Sequence, residues 1–287
     1  MSRVSYVNGR FVPHAEASVH VEDRGLQLAD GVYEVWAVLD GRLADSDGHF
    51  ERLERSLDEL RIRRPMTRTS LLAVLREAVR RNRVRNGIVY LQVTRGTARR
   101  DHAFPAADTP PTVVITARTI PLEILDARAR AGVAVIAVPE TRWARCDIKT
   151  VGLLPNALAK QAAKEAGAFE AWFVDELGFV TEGASTNAWI VDADGLLRTR
   201  DTNANILRGV TRKTLIDLAR SAGLEVAERP FTVDEAKAAR EAFLTSASTF
   251  VTPIVRIDGA VVADGQPGPV TRRLRGLYLE QARNALL

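Results

Sequence analysis

Alternating hydrophobic and polar residues over positions 4–45 predict β-strands at the start of the chain. The longest such stretch is Gly31–Leu39, which is rich in the β-branched and aromatic residues that strands favour. Turn dipeptides occur at Asn8-Gly9 and Asp40-Gly41, and these are typical of tight hairpins. This part of the chain is therefore predicted to form short strands joined by hairpins.

From Ser46 the hydrophobic period changes to that of a helix. One helical face contains Phe50, Leu53, Leu57 and Leu60, which predicts an amphipathic helix packed on a core. The same period predicts a second helix over residues 69–82.

Two strands are predicted next, at residues 88–94 and 112–117. The polar loop between them, residues 95–111, is longer than most connections in a domain. Loops of this length often carry binding or catalytic residues, so we expect this one to be functional.

The second half of the chain mixes strands and helices in irregular order. Residues 118–127 contain Pro121 and are predicted to form a linker. The elements predicted after it are a strand at 133–138, a helix at 156–166, a hairpin of strands 188–191 and 196–199, a helix at 210–221, strands at 242–245 and 253–257, and a helix at 270–284. This mixture favours two α+β domains over a doubly wound parallel sheet, with domains at 1–119 and 128–287 and a linker at 120–127.

Composition excludes several classes of protein. The 287 residues are 46% hydrophobic and 26% charged, an ordinary globular mixture with length for about two domains. No apolar run approaches the roughly 18 residues of a membrane span. The net charge of +4 comes from arginines without interleaved aromatic residues, so neither a membrane nor a nucleic-acid partner is predicted. The single cysteine, Cys146, and an N-terminus without a signal-peptide core favour the cytoplasm.

Lys149 is the first candidate for chemistry. The chain has only five lysines, and the other four lie in helical or polar stretches at 160, 164, 213 and 237. Lys149 instead precedes an apolar segment and follows Arg142 and Arg145, whose charges would favour a neutral amine. A lysine is ordinarily a solvated surface charge, but a neutral one forms imines with carbonyl compounds.

The segment Thr181-Glu-Gly-Ala-Ser-Thr-Asn187 is the second candidate. Its Glu182 either pairs with the ring nitrogen of a cofactor that contains a pyridine ring or is an exposed residue of an ordinary turn. Ser185, Thr186 and Asn187 offer polar partners nearby. Two segments could bind a phosphate: Leu207–Arg212, which opens a predicted helix with Gly209 and Thr211, and Thr245–Thr249.

Several motifs together resemble a known family. They are Glu22-Asp-Arg-Gly-Leu-Gln-Leu-Ala-Asp-Gly-Val-Tyr-Glu34, Arg142-Trp-Ala-Arg-Cys-Asp-Ile-Lys149, Leu158-Ala-Lys-Gln161 and Thr181–Asn187. The chain resembles the fold-type IV pyridoxal-phosphate transaminases over about residues 4–282. Within that group, Gln92-Val-Thr-Arg-Gly-Thr-Ala-Arg-Arg-Asp-His102, followed by Phe104-Pro105, is similar to the D-amino-acid transaminases.

The resemblance implies a fold, a cofactor and a reaction. The fold is two-domain α+β, and the site lies at the domain and subunit interface of a homodimer. The cofactor is pyridoxal 5'-phosphate, and the reaction is transamination between D-amino acids, such as D-alanine and D-glutamate, and 2-oxo acids. Lys149 would form the imine and move the substrate proton, and Glu182 would pair with the pyridine nitrogen.

The resemblance also implies the remaining site residues. Arg52 and the amides of Val210 and Thr211 would bind the phosphate, and Leu207 would back the ring. Tyr33, Arg100 and His102 would hold the substrate α-carboxylate, with the Arg100–His102 loop reaching over from the partner subunit. This set suits a carboxylate, because arginine offers a fork of donors and the other two add directional ones.

The phosphate loop departs from the family pattern. Ser246 and Ala247 lie in it, and Ala247 stands where a threonine is usual, so one hydroxyl is missing and Ser246 or Ser248 would compensate. Phe250 replaces a residue that is often acidic, and Ala184 stands where serine is common. These changes bear on cofactor affinity and on the shape of the side-chain pocket.

Three alternative functions stay open. The chain could be a branched-chain L-amino-acid transaminase or an aminodeoxychorismate lyase of the same fold, or a protein that binds pyridoxal phosphate without turnover. No metal site is predicted, because His14, His20 and His49 show no ligand spacing and are expected at the surface or in turns. Cys146 is expected to be a small packing residue.

Overall fold

The computed structural model describes residues 3–203 and 205–284, which divide into two units. One unit comprises the chain up to Leu122 together with Ile148–Gly152, and the other comprises Glu123–Asp147 and Leu153–Asn284. Each unit contains its own β-sheet with helices, so the fold class is α+β, as predicted.

The first unit contains a six-stranded sheet. Its strands are β1 (Val4–Val7), β2 (Arg10–Pro13), β3 (Gly31–Leu39), β4 (Arg42–Leu43), β5 (Gly87–Thr94) and β6 (Thr112–Thr119). Their order in space is β2-β1-β6-β5-β3-β4, and every neighbouring pair is antiparallel. The hairpins predicted from the alternating pattern are therefore present.

The helices of this unit are α1 (Arg24–Leu28), α2 (Ser46–Glu59) and α3 (Arg68–Arg81), preceded by a 3-10 turn at His14–Glu16. The predicted inward residues Phe50, Leu53 and Leu57 of α2 are buried in one cluster with Trp36. Burial of such side chains contributes roughly 1.5–3 kcal/mol each, which fixes the helices on the sheet. Thr67 caps α3, because its side chain accepts a hydrogen bond from the amide of Ser70.

The second unit contains a nine-stranded mixed sheet. Its strands are β7 (Val133–Pro139), β8 (Glu170–Val174), β9 (Val180–Gly183), β10 (Asn187–Val191), β11 (Leu197–Thr199), β12 (Val226–Glu228), β13 (Glu241–Ser246), β14 (Phe250–Ile257) and β15 (Ala260–Val261). The order is β12-β11-β10-β13-β14-β7-β8-β9, and β15 pairs with β14. The pairs β11–β12, β14–β7 and β7–β8 are parallel, and the others are antiparallel.

Five helices accompany this sheet: α4 (Leu122–Ala131), α5 (Leu154–Glu165), α6 (Val210–Ser221), α7 (Val233–Lys237) and α8 (Pro269–Asn284). The sequence did not predict α4, which begins inside the segment interpreted as a linker. Pro121 directly precedes α4, and proline is tolerated at a helix start because the first N–H groups have no intrahelical acceptor. Within residues 3–203 and 205–284, no helix combines the length and apolarity of a membrane span.

Candidate active site

Lys149 lies in a short segment, Ile148–Gly152, that returns to the first unit and pairs with β3. The amide of Tyr33 donates to the carbonyl of Lys149 at 3.0 Å, and the amide of Val151 donates to that of Gly31 at 3.0 Å. Ile148 is buried in the core of this unit. These bonds fix the backbone on both sides of Lys149, so its side chain starts from a rigid position.

The amine of Lys149 lies over an aromatic face. Its Nζ is 4.1 Å from the ring centroid of Tyr33, a cation–π distance. The Tyr33 ring stacks on Tyr90 with centroids 5.7 Å apart, and burial together with the neighbouring Tyr33 raises the pKa of the Tyr90 phenol to about 12. The structure thus brings two of the predicted site residues, Lys149 and Tyr33, together.

Arg52, predicted to bind a phosphate, is held on α2 by a buried carboxylate. Its Nε and Nη2 donate to the two oxygens of Glu34 at 2.7 and 2.9 Å, a bidentate pair. Ser56 lies one helical turn further along the same face, and its Oγ accepts a hydrogen bond from the amide of Lys149 at 3.4 Å. One face of α2 therefore carries Arg52 and contacts the Lys149 segment.

His49 completes this cluster and corrects a prediction. It was expected at the surface or in a turn, but it is 1% exposed and its Nδ1 lies 2.8 Å from Glu34 Oε2. Burial lowers the pKa of His49 although Glu34 opposes the shift. Burial also works against the charge of Glu34, but Arg52 and the hydrogen bond from His49 outweigh it and lower that carboxyl's pKa far below its usual range. A neutral imidazole facing a carboxylate must donate from Nδ1.

Arg100 and His102 lie in the long polar loop between β5 and β6, and both are exposed. Neither side chain makes a hydrogen bond or ion pair with the residues that the structure describes. The loop is thus present where a functional loop was predicted, and its two proposed carboxylate-binding side chains face outward.

Glu182 lies at the end region of β9 in the second unit and is 5% exposed. Its Oε1 accepts hydrogen bonds from Arg142 Nη1 at 2.5 Å and from the amide of Leu207 at 3.0 Å, and its Oε2 accepts one from Asn187 Nδ2 at 3.0 Å. Hence the carboxylate is buried and immobilised by donors, and the alternative of an exposed turn residue is wrong.

Arg142 supplies the positive charge of this cluster. Burial disfavours its charged form, but hydrogen bonds to Glu140 and the charge of Glu182 raise the pKa of its guanidinium. Arg145 pairs instead with Asp147 at 2.9 Å. Both arginines that precede Lys149 in the sequence therefore form ion pairs with carboxylates. These pairs neutralise the positive charge that the sequence led us to expect near Lys149.

Asn187 connects Glu182 to the start of α6. Its Nδ2 also donates to the carbonyl of Leu207 at 3.1 Å, and its Oδ1 would lie 1.9 Å from a Cβ placed on Gly209. Gly209 is the N-cap of α6 and makes no side-chain hydrogen bond to the first amides of the helix, which include those of Val210 and Thr211. An uncapped helix start carries donors and a partial positive charge, the features that bind phosphates.

A cluster of hydroxyl groups lies in the connection between β13 and β14. Ser246 Oγ is 2.8 Å from Thr249 Oγ1 and 3.3 Å from Ser248 Oγ, and it accepts a hydrogen bond from the amide of Thr249. Ala247 lies between these residues and contributes no hydroxyl. The neighbouring side chains form a hydroxyl-rich turn around it.

Two polar residues of the Glu182 segment behave differently from what was expected. Ser185 donates to Glu170 at 2.7 Å and not to Glu182. Thr186 Oγ1 is buried without a hydrogen-bond partner among the described residues. Cys146 is half-buried, as a packing residue would be, and burial raises the pKa of its thiol to about 11. The described residues contain no group of side chains that could hold a metal ion.

Glu34, which holds Arg52, was not among the predicted site residues. A signal was present, because Glu34 occupies an inward position of β3 between Val32 and Trp36, both of which are completely buried. A carboxylate is rarely buried unless it is paired, so an acidic residue at an inward strand position indicates a partner.

The two units, each a β-sheet with helices, have the α+β fold of the fold-type IV enzymes. The sequence model of the amino-transferase class IV family matches residues 31–257, and the chain belongs to this family. It is an aminotransferase, and its cofactor is pyridoxal phosphate, as the motifs implied.

Similar proteins include aminotransferases of two kinds. The chain is 40% identical over 268 residues to a D-alanine aminotransferase of Bacillus licheniformis, with 93% of each chain covered. Its structure superposes with a TM-score of 0.90 on a branched-chain amino acid aminotransferase of Escherichia coli, at 25% identity and with 98% and 95% of the two chains covered. A branched-chain aminotransferase of the archaeon Thermoproteus uzoniensis gives a TM-score of 0.85 at 28% identity, with 100% and 99% covered.

Proposed function

We propose that this aminotransferase moves an amino group from a D-amino acid, such as D-alanine or D-glutamate, to a 2-oxo acid. The observation that carries the proposal is the contact between the Lys149 amine and the Tyr33 ring, 4.1 Å from Nζ to the centroid. A base that removes the α-proton must act beside the α-carboxylate, and Tyr33 is the residue proposed to bind that carboxylate. The 40% identity to a D-alanine aminotransferase supports the D-form of the substrate.

The donor set of this chain fits pyridoxal phosphate. A buried carboxylate held by three donors, Glu182, suits a protonated pyridine nitrogen. The uncapped start of α6, with the amides of Val210 and Thr211, and the hydroxyl-rich turn at Ser246 and Ala247 suit a phosphate. The family resemblance implies that Arg52 would supply a guanidinium for a phosphate and that Leu207 would back the ring.

The bound cofactor supplies an aldehyde that condenses with amines and a ring that takes up the electron pair left when a proton departs. Lys149 Nζ would bind the aldehyde, and the same amine would be the base that moves the α-proton. Glu182, whose carboxylate accepts hydrogen bonds from three donors, would pair with the ring nitrogen. Tyr33, Arg100 and His102 would orient the substrate through its carboxylate, so that one face of the α-carbon meets Lys149.

We also propose that the protein is a homodimer of the cytoplasm. The family resemblance implies the dimer, and the large apolar side chains of Val21 and Leu26, 72% and 66% exposed, offer surface that a second copy would cover. The domain limits 1–119 and 128–287 stay a prediction.

A branched-chain L-amino-acid transaminase is the second candidate function. It is supported by the superposition on branched-chain aminotransferases, at 25% and 28% identity. The higher identity to a D-alanine aminotransferase, and the Arg100-Asp-His102 motif, favour the D-specific function.

The decisive experiment measures pyruvate after the purified protein is mixed with pyridoxal phosphate, D-alanine and 2-oxoglutarate. We expect pyruvate from the native chain, none from Lys149→Ala, and native amounts from Lys164→Ala, which removes an exposed helical lysine. Borohydride reduction followed by peptide mapping should locate the cofactor on Lys149. Turnover of L-leucine without turnover of D-alanine, or an adduct on another residue, would contradict the proposal.

A further inference from the structure

The loop that carries Arg100 and His102 needs an external support. This loop, Gly96–Phe104, contains no helix and no extended strand, only an isolated bridge between Thr97 and Asp23. A loop without its own ladder does not hold two side chains in register unless its backbone is bound elsewhere. We call Gly96–Phe104 the Arg100 loop and the segment Glu22–Asp30, which carries α1, the anchor segment.

The anchor segment binds the Arg100 loop at successive points. The amide of Arg24 donates to the carbonyl of Gly96 at 2.9 Å, and the amide of Ala98 donates to that of Glu22 at 3.3 Å. The side chain of Asp23 caps α1 and also accepts a hydrogen bond from Thr94 Oγ1 at 2.9 Å. These contacts fix the first half of the loop and end before Arg100.

Arg24 extends this support to the reactive half of the loop. Its side chain is only 4% exposed, and its Nη1 donates to the carbonyl of Asp101 at 2.7 Å. Asp101 is the residue between Arg100 and His102. The guanidinium therefore holds one of the two peptide carbonyls that lie between Arg100 and His102, the residues proposed to bind the substrate carboxylate.

Arg24 is itself immobilised by a shared carboxylate. The carboxylate of Asp30 accepts a hydrogen bond from Arg24 Nε at 2.8 Å, and two more from Arg95 Nε and Nη2 at 2.7 and 2.9 Å. Burial opposes the ionised form of Asp30, but the two arginines outweigh it and lower the pKa of this carboxyl. Two buried guanidinium groups, those of Arg24 and Arg95, share the single carboxylate of Asp30. Their other N–H groups therefore donate to backbone carbonyls, among them the carbonyl of Asp101.

Arg95 supports the far end of the loop in a similar way. Its guanidinium lies 3.6 Å from the ring centroid of Phe104 and also donates to the carbonyls of Leu60 and Arg61 at 2.7 and 2.9 Å. Phe104 is 50% exposed, so its place is set by this cation–π contact more than by burial in a core.

We propose that Arg24 is a positioning residue for substrate recognition: through the carbonyl of Asp101, and with Asp30 and Arg95, it holds the Arg100 loop in the shape that presents Arg100 and His102 to a substrate α-carboxylate. This inference rests on the function proposed above. Arg24 acts through the loop and does not touch the substrate.

The test compares Arg24→Lys with Arg76→Lys in the cofactor-loaded protein. Lysine keeps the charge, but a single ammonium does not reproduce the separate hydrogen bonds to Asp30 and Asp101. Arg76 is an exposed residue of α3, so the same chemical change there is the matched control. Phe104→Leu is a second variant, at a half-exposed side chain, that removes the ring under Arg95 and leaves Arg24 in place.

For Arg24→Lys we expect faster hydrogen–deuterium exchange of the amides in residues 97–105 and a KM for D-alanine raised about tenfold or more, since a charge-assisted hydrogen bond is lost. The kcat should change less, and the visible absorbance of the bound cofactor should stay as in the native protein. Phe104→Leu should shift exchange and KM in the same direction, and Arg76→Lys should shift neither.

Unchanged exchange in the Arg100 loop of Arg24→Lys, or faster exchange with an unchanged KM, would overturn the positioning role while leaving the proposed function intact. A native protein that turns over no D-amino acid would refute the proposed function instead. In that case the exchange experiment still decides whether Arg24 holds the loop.

Discussion

Glu34 illustrates how a single buried charge organises a functional side chain. It is completely buried and accepts hydrogen bonds from Arg52 and His49. A buried carboxylate is tolerated only when donors replace its lost water, and here the donors come from one face of α2. The same pairing that stabilises Glu34 fixes the guanidinium proposed to bind a phosphate.

We predict that His49 makes the stability of the protein fall as the pH falls. The pKa of His49 is lowered below its ordinary value of 6.5, so near and below that pH this side chain binds more protons in the unfolded chain than in the folded chain. The folded state therefore loses stability, by an amount on the order of 1 kcal/mol, between pH 7.5 and 5.5. The free energy of unfolding, measured in urea at both pH values, should show this loss.

The control is His49→Asn, which keeps a donor for Glu34 but does not titrate. It should lose less stability over the same pH interval than the native chain. The other three histidines, His14, His20 and His102, are exposed and are present in both proteins, so their contributions cancel. The same loss in both proteins would mean that His49 does not titrate as proposed.

At the scale of elements, the start of α6 depends on a contact that only glycine permits. A Cβ on Gly209 would lie 1.9 Å from Asn187 Oδ1, and Asn187 in turn holds Glu182 and the carbonyl of Leu207. A side chain at this position would push Asn187 away and would release a donor from the buried carboxylate.

We therefore predict that Gly209→Ala weakens binding of pyridoxal phosphate by at least about tenfold, the cost of one hydrogen bond to a charged group. The dissociation constant is measured by titrating the protein without cofactor and following its absorbance. Gly276→Ala is the control, because Gly276 lies in α8 with open space around its Cα and alanine favours the helix there. Equal affinities of the two variants would exclude the role of this contact.

Helices with a regular spacing of hydrophobic residues were predictable from the sequence. Strands whose place depends on pairing with distant strands were not. The helices predicted at 69–82 and 210–221 are confirmed as Arg68–Arg81 and Val210–Ser221, because each carries one continuous apolar face. β8 was missed, because Glu170–Val174 lacks alternation and is buried on both faces of the sheet. Such strands are set by their neighbours, here β7 and β9, and not by local pattern.

The same limit applies to the candidate site. Lys149 and Glu182 stood out because lysine is rare in this chain and because their neighbours form motifs. Arg24 and Asp30 lie in the motif Glu22–Glu34 but were assigned no role, and His49 was expected at the surface or in a turn. Their importance arises from partners far along the chain, such as Asp101 for Arg24. The sequence alone gives residue types and their spacing. The fold is needed to show which carbonyls and carboxylates pair with each charged side chain.

At the scale of the whole molecule, the proposed homodimer determines which chain completes which site. The family resemblance implies that the Arg100 loop reaches over to the partner subunit, and Arg100 and His102 are exposed in the single chain. In a symmetric dimer each chain then supplies Lys149 to one site and Arg100 to the other. Two defective chains could therefore complement each other.

We predict that mixing Lys149→Ala with Arg100→Ala restores turnover of D-alanine that neither variant has alone. In a mixed dimer, the chain with an intact Lys149 receives an intact Arg100 from its partner, so one site is complete and the other lacks both. Random exchange of subunits makes half of the dimers mixed, and the expected activity is about a quarter of the native value. The two variants are unfolded together, refolded and assayed, with each variant refolded alone as the control. If Arg100 served the site of its own chain, no mixed dimer would contain a complete site, and the mixture would show no more activity than the two variants assayed separately.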